Sequence, residues 1–139
     1  KKDLVLVFAC STEHCVLLKK LLETRDIESE IVLGHTSTKD RNRHIKDFKS
    51  GKLKVLINFG VLTTGFDAPK LKTLIIARHT NSMILYSQMI GRALRGPRNG
   101  GNELNYVVDV IDNISNMGNV DFMFSYWEDF WSKKLTFNK

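Results

Sequence analysis

The sequence lacks several features that would each place it in a particular class of protein. It has two cysteines in 139 residues, too few for the disulfide framework of a small secreted domain. No apolar run approaches the roughly 20 residues that a membrane-spanning helix requires. Internal repeats and low-complexity segments are also missing. We therefore expect a globular protein of a reducing cytoplasm, with no membrane partner.

The first residues are not those of a natural start. The chain opens with Lys1 and Lys2 instead of Met, and no signal-peptide pattern follows. Its 42% hydrophobic and 26% charged residues are ordinary for one domain with a real core. We expect a piece of a longer protein.

A phosphate-binding loop is missing as well. The pattern Gly-x-x-x-x-Gly-Lys-Ser/Thr occurs nowhere, and Gly51-Lys52 has no matching glycine before it. Tyr106-Val107-Val108-Asp109 imitates a strand that ends in a magnesium-binding aspartate. Without the loop we interpret Asp109 as structural. The chain thus lacks the parts that would hold ATP and Mg²⁺ by itself.

No metal site is predicted either. Cys10 and Cys15 bracket His14, but the other histidines show no metal-ligand spacing. We interpret the two cysteines as reduced thiols near the end of a buried strand.

Positive charge is in excess. The formal net charge is +6 and the isoelectric point is about 9.4, which favours a polyanionic partner such as nucleic acid. Charge alone does not decide the question, because many lysines are expected only to solvate helix faces.

Apolar strands alternate with amphipathic helices along the chain. Strands are predicted at 4–9, 29–33, 53–58, 71–77 and 104–110, and helices after Ser11 or Thr12, at 40–50 and from Ser82 to about Leu94. This alternation predicts an α/β fold with a mostly parallel sheet. Ligands bind at the carboxyl ends of such strands. We therefore expect the polar residues that follow the strands to share one edge: Ser11, Thr12, Gly34–Thr36, Asn58–Asp67, His79 and Thr80.

The last part of the chain is dense in aromatic residues: Phe122, Phe124, Tyr126, Trp127, Phe130 and Trp131. Met123, Trp127, Phe130 and Trp131 fit one face of a helix. Such a helix packs either on the sheet of its own domain or on a partner domain. We expect a main domain at 1–115 and a helical extension at 116–139.

Residues 88–95 carry the most informative chemistry. On a helix, Gln88, Arg92 and Arg95 share one face. One amide and two guanidiniums suit a phosphate chain whose charge shifts during transfer. Gly91 would let the backbone come close to another group. The alternative is a solvated basic helix end beside Gly96.

A second segment, Thr64–Pro69, follows the third apolar strand. Gly65 could turn its N–H toward a phosphate, and Asp67 could accept a hydrogen bond from a ribose hydroxyl. Taken alone, the segment is better interpreted as a turn that Pro69 ends. Together with residues 88–95, it points to half of a nucleotide-driven motor.

Three segments resemble the C-terminal RecA-like domain of superfamily 2 helicases and translocases, and the resemblance covers nearly the whole chain. Val7–His14 resembles motif IV and Val55–Pro69 resembles motif V. Gln88–Arg95 matches the Gln-x-x-Gly-Arg-x-x-Arg of motif VI at every defining position. The residues in these segments are most similar to those of restriction-enzyme-like and DNA-repair helicases.

The resemblance implies a three-layer RecA-like fold and specific roles at the nucleotide. Arg95 would be the arginine finger on the γ-phosphate, with Arg92 beside it. Gln88 would position the nucleotide, Gly65 would contact phosphate and Asp67 the ribose. ATP and Mg²⁺ would be held mainly by a missing N-terminal lobe of the same polypeptide.

The resemblance also implies contacts with the nucleic-acid backbone, made by Ser11, Thr36 and the start of the motif V loop from Phe59 to Thr63. Many RNA helicases of the superfamily carry Thr-Asp and then Arg in motif V, whereas this chain has Phe59, Gly60 and Thr64. This departure favours DNA over RNA as the partner.

The resulting expectation is the C-terminal lobe of an ATP-dependent DNA helicase or translocase, inactive as an isolated fragment. Two alternatives belong to other classes. One is a degenerate RecA-like module that binds nucleic acid or acts as a scaffold without catalysis. The other is a free-standing α/β domain that binds a small molecule without a partner lobe.

Overall fold

The computed structural model describes residues 3–63, 66–80, 82–91 and 96–109 of the chain. Strands and helices alternate through these ranges: β1 (Leu4–Ala9), α1 (Thr12–Glu23), β2 (Ser29–Val32), α2 (Thr38–Ser50), β3 (Val55–Asn58), β4 (Leu71–Ala77), α3 (Met83–Ile90) and β5 (Tyr106–Asp109). A 3₁₀ turn at Pro97–Asn99 lies between α3 and β5.

The five strands form one sheet in the order β2-β3-β1-β4-β5. Each of the four pairings is parallel, so the prediction of a mostly parallel sheet is confirmed. β1 lies at the centre, where Val7 pairs with Ile57 of β3 on one side and with Ile75 of β4 on the other. Its continuous apolar sequence is what a strand covered on both faces requires.

Helices cover both faces of the sheet and give the three layers that the resemblance implied. Side chains of α2 and α3, including Phe48 and Met89, pack with Leu6 and Phe8 on one face. On the other face, Cys15 of α1 packs with Val7 and the neighbouring strands. The larger core lies between the sheet and the α2–α3 layer.

The observed boundaries differ from the predicted ones by a few residues. β1 and β4 have the predicted bounds. α2 begins at Thr38, before the predicted Asp40, because the hydroxyl of Ser37 accepts a hydrogen bond from the Asp40 N–H at 3.1 Å. α2 ends as predicted at Gly51, which has a φ of +80°.

Several predicted features lie outside the described residues. Among them are Val110, Leu94 and the aromatic extension at 116–139. Among the described residues, no helix is long and apolar enough to cross a membrane.

The cap of α2 yields a test of stability against pH. Ser37→Ala should lower the free energy of unfolding near neutral pH by about 1 kcal/mol, the usual cost of losing a serine N-cap. The Ser37 hydroxyl, 2.8 Å from Oδ2 of Asp40, is the main cause that lowers the pKa of Asp40. Ionised Asp40 therefore stabilises the fold above the ordinary carboxyl pKa, and this contribution disappears as the pH falls through the lowered folded value.

The difference in the free energy of unfolding between wild type and Ser37→Ala, measured by urea denaturation, should consequently become smaller as the pH falls from about 6 to about 3. Ser50→Ala is the matched control, because its hydroxyl only donates to the Asp47 carbonyl at 3.0 Å, at the other end of α2. If the loss of unfolding free energy in Ser37→Ala stayed constant with pH, the hydrogen bond between Ser37 and ionised Asp40 would not stabilise the fold.

Candidate nucleotide and nucleic-acid site

The carboxyl edge of the sheet collects most of the polar residues that follow the strands. Ser11 follows β1, Thr36 follows β2 and Phe59 follows β3. These three strands are adjacent and parallel, so the residues lie at one edge. The structure thus brings together the first three predicted nucleic-acid contacts.

Ser11 is the N-cap of α1. Its Oγ accepts a hydrogen bond from the His14 N–H at 3.0 Å. The pKa of Glu13 is lowered, first by its own backbone N–H and then by the Ser11 hydroxyl. A phosphate oxygen that bound this hydroxyl would therefore have to compete with the Glu13 carboxylate.

Thr36 ties down the loop that follows β2. Its Oγ1 accepts a hydrogen bond from the Leu33 N–H at 2.8 Å. Nη2 of Arg41 donates to the carbonyls of Leu33 at 3.1 Å and Gly34 at 3.3 Å. Because the Thr36 oxygen acts as the acceptor, its hydroxyl hydrogen is the part that a phosphate oxygen could accept.

Arg41 is a residue that the sequence reasoning missed. A cation near the start of a helix is unfavourable because the helix dipole is positive there. This unfavourable position is the feature of the sequence that could have identified Arg41. The loop carbonyls that accept its hydrogen bonds explain its position.

A cationic side chain lies over the aromatic ring of Phe59. The guanidinium carbon of Arg78, which follows β4, lies 5.8 Å from the ring centroid. Since β1 lies between β3 and β4, this contact spans the end of the central strand. The Phe59 side chain has no hydrogen-bonding group, so only its backbone can bind phosphate. Arg78 was also missed, although its place directly after a strand was the same signal that identified its neighbours.

The loop that begins at Phe59 has an unusual backbone. Gly60 has a φ of +68° and Leu62 a φ of +61°. A leucine rarely adopts this left-handed conformation, which costs on the order of 1–3 kcal/mol. Leu62 is nevertheless buried in the core, and this packing holds the turn. The turn sets the position of the half-buried Thr63.

Asn58 anchors the same loop at its base. The side chain is completely buried, and its Nδ2 donates to the Val7 carbonyl at 2.9 Å. This bond ties the end of β3 to β1, so the loop leaves the sheet from a fixed point.

Asp67 does not lie at the carboxyl edge, and the prediction that Asn58–Asp67 share that edge is wrong for this residue. Asp67 is exposed in a cavity of about 320 Å³ that is also lined by Leu4, the first residue of β1. The connection from β3 to β4 must return to the amino end of the sheet, where the Ala68 carbonyl accepts a hydrogen bond from the Leu71 N–H. The predicted ribose contact is therefore at the opposite edge from Ser11.

Gln88 lies in the last turn of α3 and is half-buried. The helix begins at Met83, after its N-cap Ser82, which follows the carboxyl end of β4. It runs back about 12 Å along the sheet. It therefore ends in the same half of the molecule as Asp67. A side chain added at Gly91 would come within 3.2 Å of the Ser87 carbonyl, in its own preceding turn. Among the described residues, no other element lies within 4 Å of that added Cβ atom.

Gly65, Arg92 and Arg95 lie outside the described residues. Their predicted contacts with phosphate therefore stay predictions.

A hydrogen bond between Tyr86 and Asp109 joins α3 to β5. The Tyr86 hydroxyl donates to Oδ2 of Asp109 at 2.6 Å. Burial and this carboxylate raise the pKa of Tyr86, so the hydroxyl stays protonated as a donor. The contact supports the interpretation of Asp109 as a structural residue.

The two cysteines have different environments. Cys10 is exposed, with its Sγ 3.1 Å from Nδ1 of His14. Cys15 lies in the first turns of α1 and is buried, and this burial raises the pKa of its thiol to about 11. Cys10 directly follows β1, and Cys15 packs against Val7 and Ala9 at the end of the same strand, so both free thiols lie near the end of a buried strand as predicted. Within the described ranges, no group of three or more His, Cys, Asp or Glu residues could hold a metal ion.

The likeness to curated proteins is confined to part of their length. The chain is 37% identical over 90 residues to the Saccharomyces cerevisiae protein named ATP-dependent helicase IRC3, covering 65% of this chain and 13% of that protein. It is 33% identical over 95 residues to the Dictyostelium discoideum protein named ATP-dependent RNA helicase ddx49, covering 68% of this chain and 19% of that protein. The chain thus spans less than a fifth of these relatives.

The fold is similar to that of solved helicase domains. The C-terminal domain of the DEAD-box protein Dbp5 superposes with a TM-score of 0.72 and 24% identity, over 93% of this chain and 72% of that one. The family model described as "Helicase conserved C-terminal domain" matches residues 1–97. The chain therefore belongs to this family, as the C-terminal RecA-like domain of a superfamily 2 helicase.

Proposed function

We propose that this domain completes the ATP-hydrolysing site of a DNA helicase or translocase, together with an N-terminal RecA-like lobe of the same polypeptide. The observation that carries the proposal is the connection from β3 to β4. It begins at the carboxyl edge beside the predicted nucleic-acid contacts and ends at the amino edge beside Asp67. One short segment therefore links the two places that a motor must couple.

On the nucleotide side, the domain contributes groups that act on an ATP held elsewhere. Arg95 approaches the γ-phosphate as the arginine finger, Arg92 lies beside it and Gly65 contacts phosphate. Gln88 positions the nucleotide from the end of α3. Asp67 accepts a hydrogen bond from the ribose. Lys49 and Lys70 line the same cavity and place positive charge near the nucleotide phosphates. Mg²⁺ is held mainly by the other lobe, because this chain has no phosphate-binding loop.

On the nucleic-acid side, the carboxyl edge binds the backbone without reading sequence. Ser11 and Thr36 offer hydroxyls, while Phe59 and Thr63 offer backbone N–H groups. The net charge of +6 favours this polyanion, and Arg78 on the Phe59 ring adds a cation at the same edge.

The mechanism follows from closure of the two lobes. Binding of ATP by the partner lobe draws the 88–95 segment onto the phosphates. Because the β3–β4 connection is anchored at Asn58 and again at Ala68, movement at the nucleotide is transmitted to the backbone contacts. Hydrolysis of ATP and release of the products reopen the cleft. Each cycle shifts the backbone contacts of one lobe relative to those of the other.

Arg95→Ala in the full-length protein should reduce nucleic-acid-stimulated ATP hydrolysis by about a hundredfold or more while DNA binding is retained. Arg98→Ala is the matched control, since this exposed arginine lies in the 3₁₀ turn after the motif, and it should leave the rate unchanged. Unchanged hydrolysis in Arg95→Ala would favour a scaffold without catalysis.

The isolated 139-residue chain should show no magnesium-dependent ATP hydrolysis, because it lacks the loop that holds the phosphates. Adding the N-terminal lobe as a separate polypeptide, or using the full-length protein, should restore turnover. The assay is phosphate release with and without nucleic acid. Turnover by the chain alone would refute this division of labour.

RNA is the second candidate for the polymer. It is favoured by relatives named as RNA helicases and by the similar fold of Dbp5, solved with RNA. DNA is favoured by Phe59, Gly60 and Thr64, which replace the Thr-Asp and Arg of many RNA helicases.

ATP hydrolysis by the full-length protein should therefore be stimulated more by DNA than by RNA of equal length and sequence, compared at one salt concentration. If the motif V residues set this preference, Phe59→Thr combined with Gly60→Asp should reduce it. Stronger stimulation by RNA would reverse the assignment of the polymer and leave the motor function intact.

A further inference from the structure

One part of the sheet is left uncovered in the described structure. α1 packs against β1, β2 and β3, which form one half of its face of the sheet. On the other half, Tyr106 and Val108 of β5 are each 51% exposed. Parallel strands are normally covered on both faces, so this exposure requires an explanation.

The exposed side chains share one side of the sheet with their neighbours on β4, and one of these neighbours, Ile75, already packs against the core under α1. Val108 pairs with Ile75 and Tyr106 pairs with Thr73, so the four side chains point to the same side of the sheet. We call Thr73, Ile75, Tyr106 and Val108 the β4–β5 face. On the opposite side of the same strands, Leu74 and Ile76 are fully buried with residues of α3. The sheet is thus covered on both faces at its centre and on one face at the β5 edge.

The chain itself contains a segment suited to this surface. Residues 120–134 are rich in aromatic side chains, and Met123, Trp127 and Trp131 fall on one helical face. Because β5 ends at Asp109, ten residues separate the strand from this segment. Ten residues can span roughly 33 Å, which is enough to return along a strand of four residues.

We propose that residues 120–134 pack on the β4–β5 face and form the missing part of the layer that α1 begins. The 116–139 extension is then part of the same folded unit as the sheet. It is not a docking arm for another domain. This inference is independent of the proposed catalytic role, because it concerns only how the sheet is covered.

Thiol labelling of the 139-residue chain tests the proposal. The background is Cys10→Ser, which removes the exposed thiol and leaves the buried Cys15. Val108→Cys reports on the β4–β5 face. Leu17→Cys is the matched control, because Leu17 is 55% exposed on α1 and lies outside the face.

Val108→Cys should react slowly in the intact chain, and adding Trp127→Asp should accelerate its labelling by at least roughly tenfold, equivalent to about 1.4 kcal/mol. Ser125→Asp, which falls on the opposite side of the predicted helix, should leave the rate unchanged. Leu17→Cys should be labelled at one rate in all of these backgrounds. Labelling of Val108→Cys as fast as that of Leu17→Cys in the intact chain would overturn the proposal.

Two further outcomes would assign the face to another occupant. Protection of Val108→Cys that disappears on dilution would mean that a second copy covers it. Protection that appears only in the full-length protein would mean that another domain does. Either result contradicts the proposal.

Tryptophan emission gives a second measurement that needs no cysteine. Trp127 and Trp131 are the two tryptophans of the chain, so the emission reports only on this segment. Val108→Asp should shift the emission to the red, toward that of a solvated indole, whereas Leu17→Asp should leave it unchanged. Emission of the wild type that already matches a solvated indole would overturn the inference, even if a substituted chain failed to fold.

Discussion

The parallel pairing of β1 with β3 and β4 is the constraint on which the rest of the structure depends. Because β1 is buried at the centre and holds both neighbours in register, it fixes which residues reach each edge of the sheet. The carboxyl ends of three strands bring Ser11, Thr36 and Phe59 together. The same register sends the β3–β4 connection back across the sheet and places Asp67 at the far edge. The separation of the two halves of the candidate site is therefore a result of sheet topology.

Sequence reasoning succeeded where a local pattern determines the structure. The bounds of β1 follow from its uninterrupted apolar run, and those of β4 from an apolar-rich run that begins after Pro69. The end of α2 follows from Gly51, since few other residues adopt its φ of +80°. Motif VI was identified by the resemblance of residues 88–95 to the pattern of the family, and the family assignment is confirmed.

Other features could not be predicted because they depend on distant parts of the chain. The position of Asp67 is set by where the connection crosses the sheet, and no local pattern encodes that path. The left-handed Leu62 is maintained by core packing against a local preference that opposes it. Arg41 and Arg78 find their partners on a loop and on a ring from other elements. Residues of this kind become visible only after the strand order is known.

The two anchors of the β3–β4 connection have a consequence for how such a domain can change during evolution. Asn58 fixes one end to the central strand, and the turn from Ala68 to Leu71 fixes the other to the start of β4. A segment held at both ends transmits displacement only if it has no slack. Inserting residues between these anchors would leave each end intact and still uncouple them. The number of residues in the connection should therefore tolerate less variation than their identity.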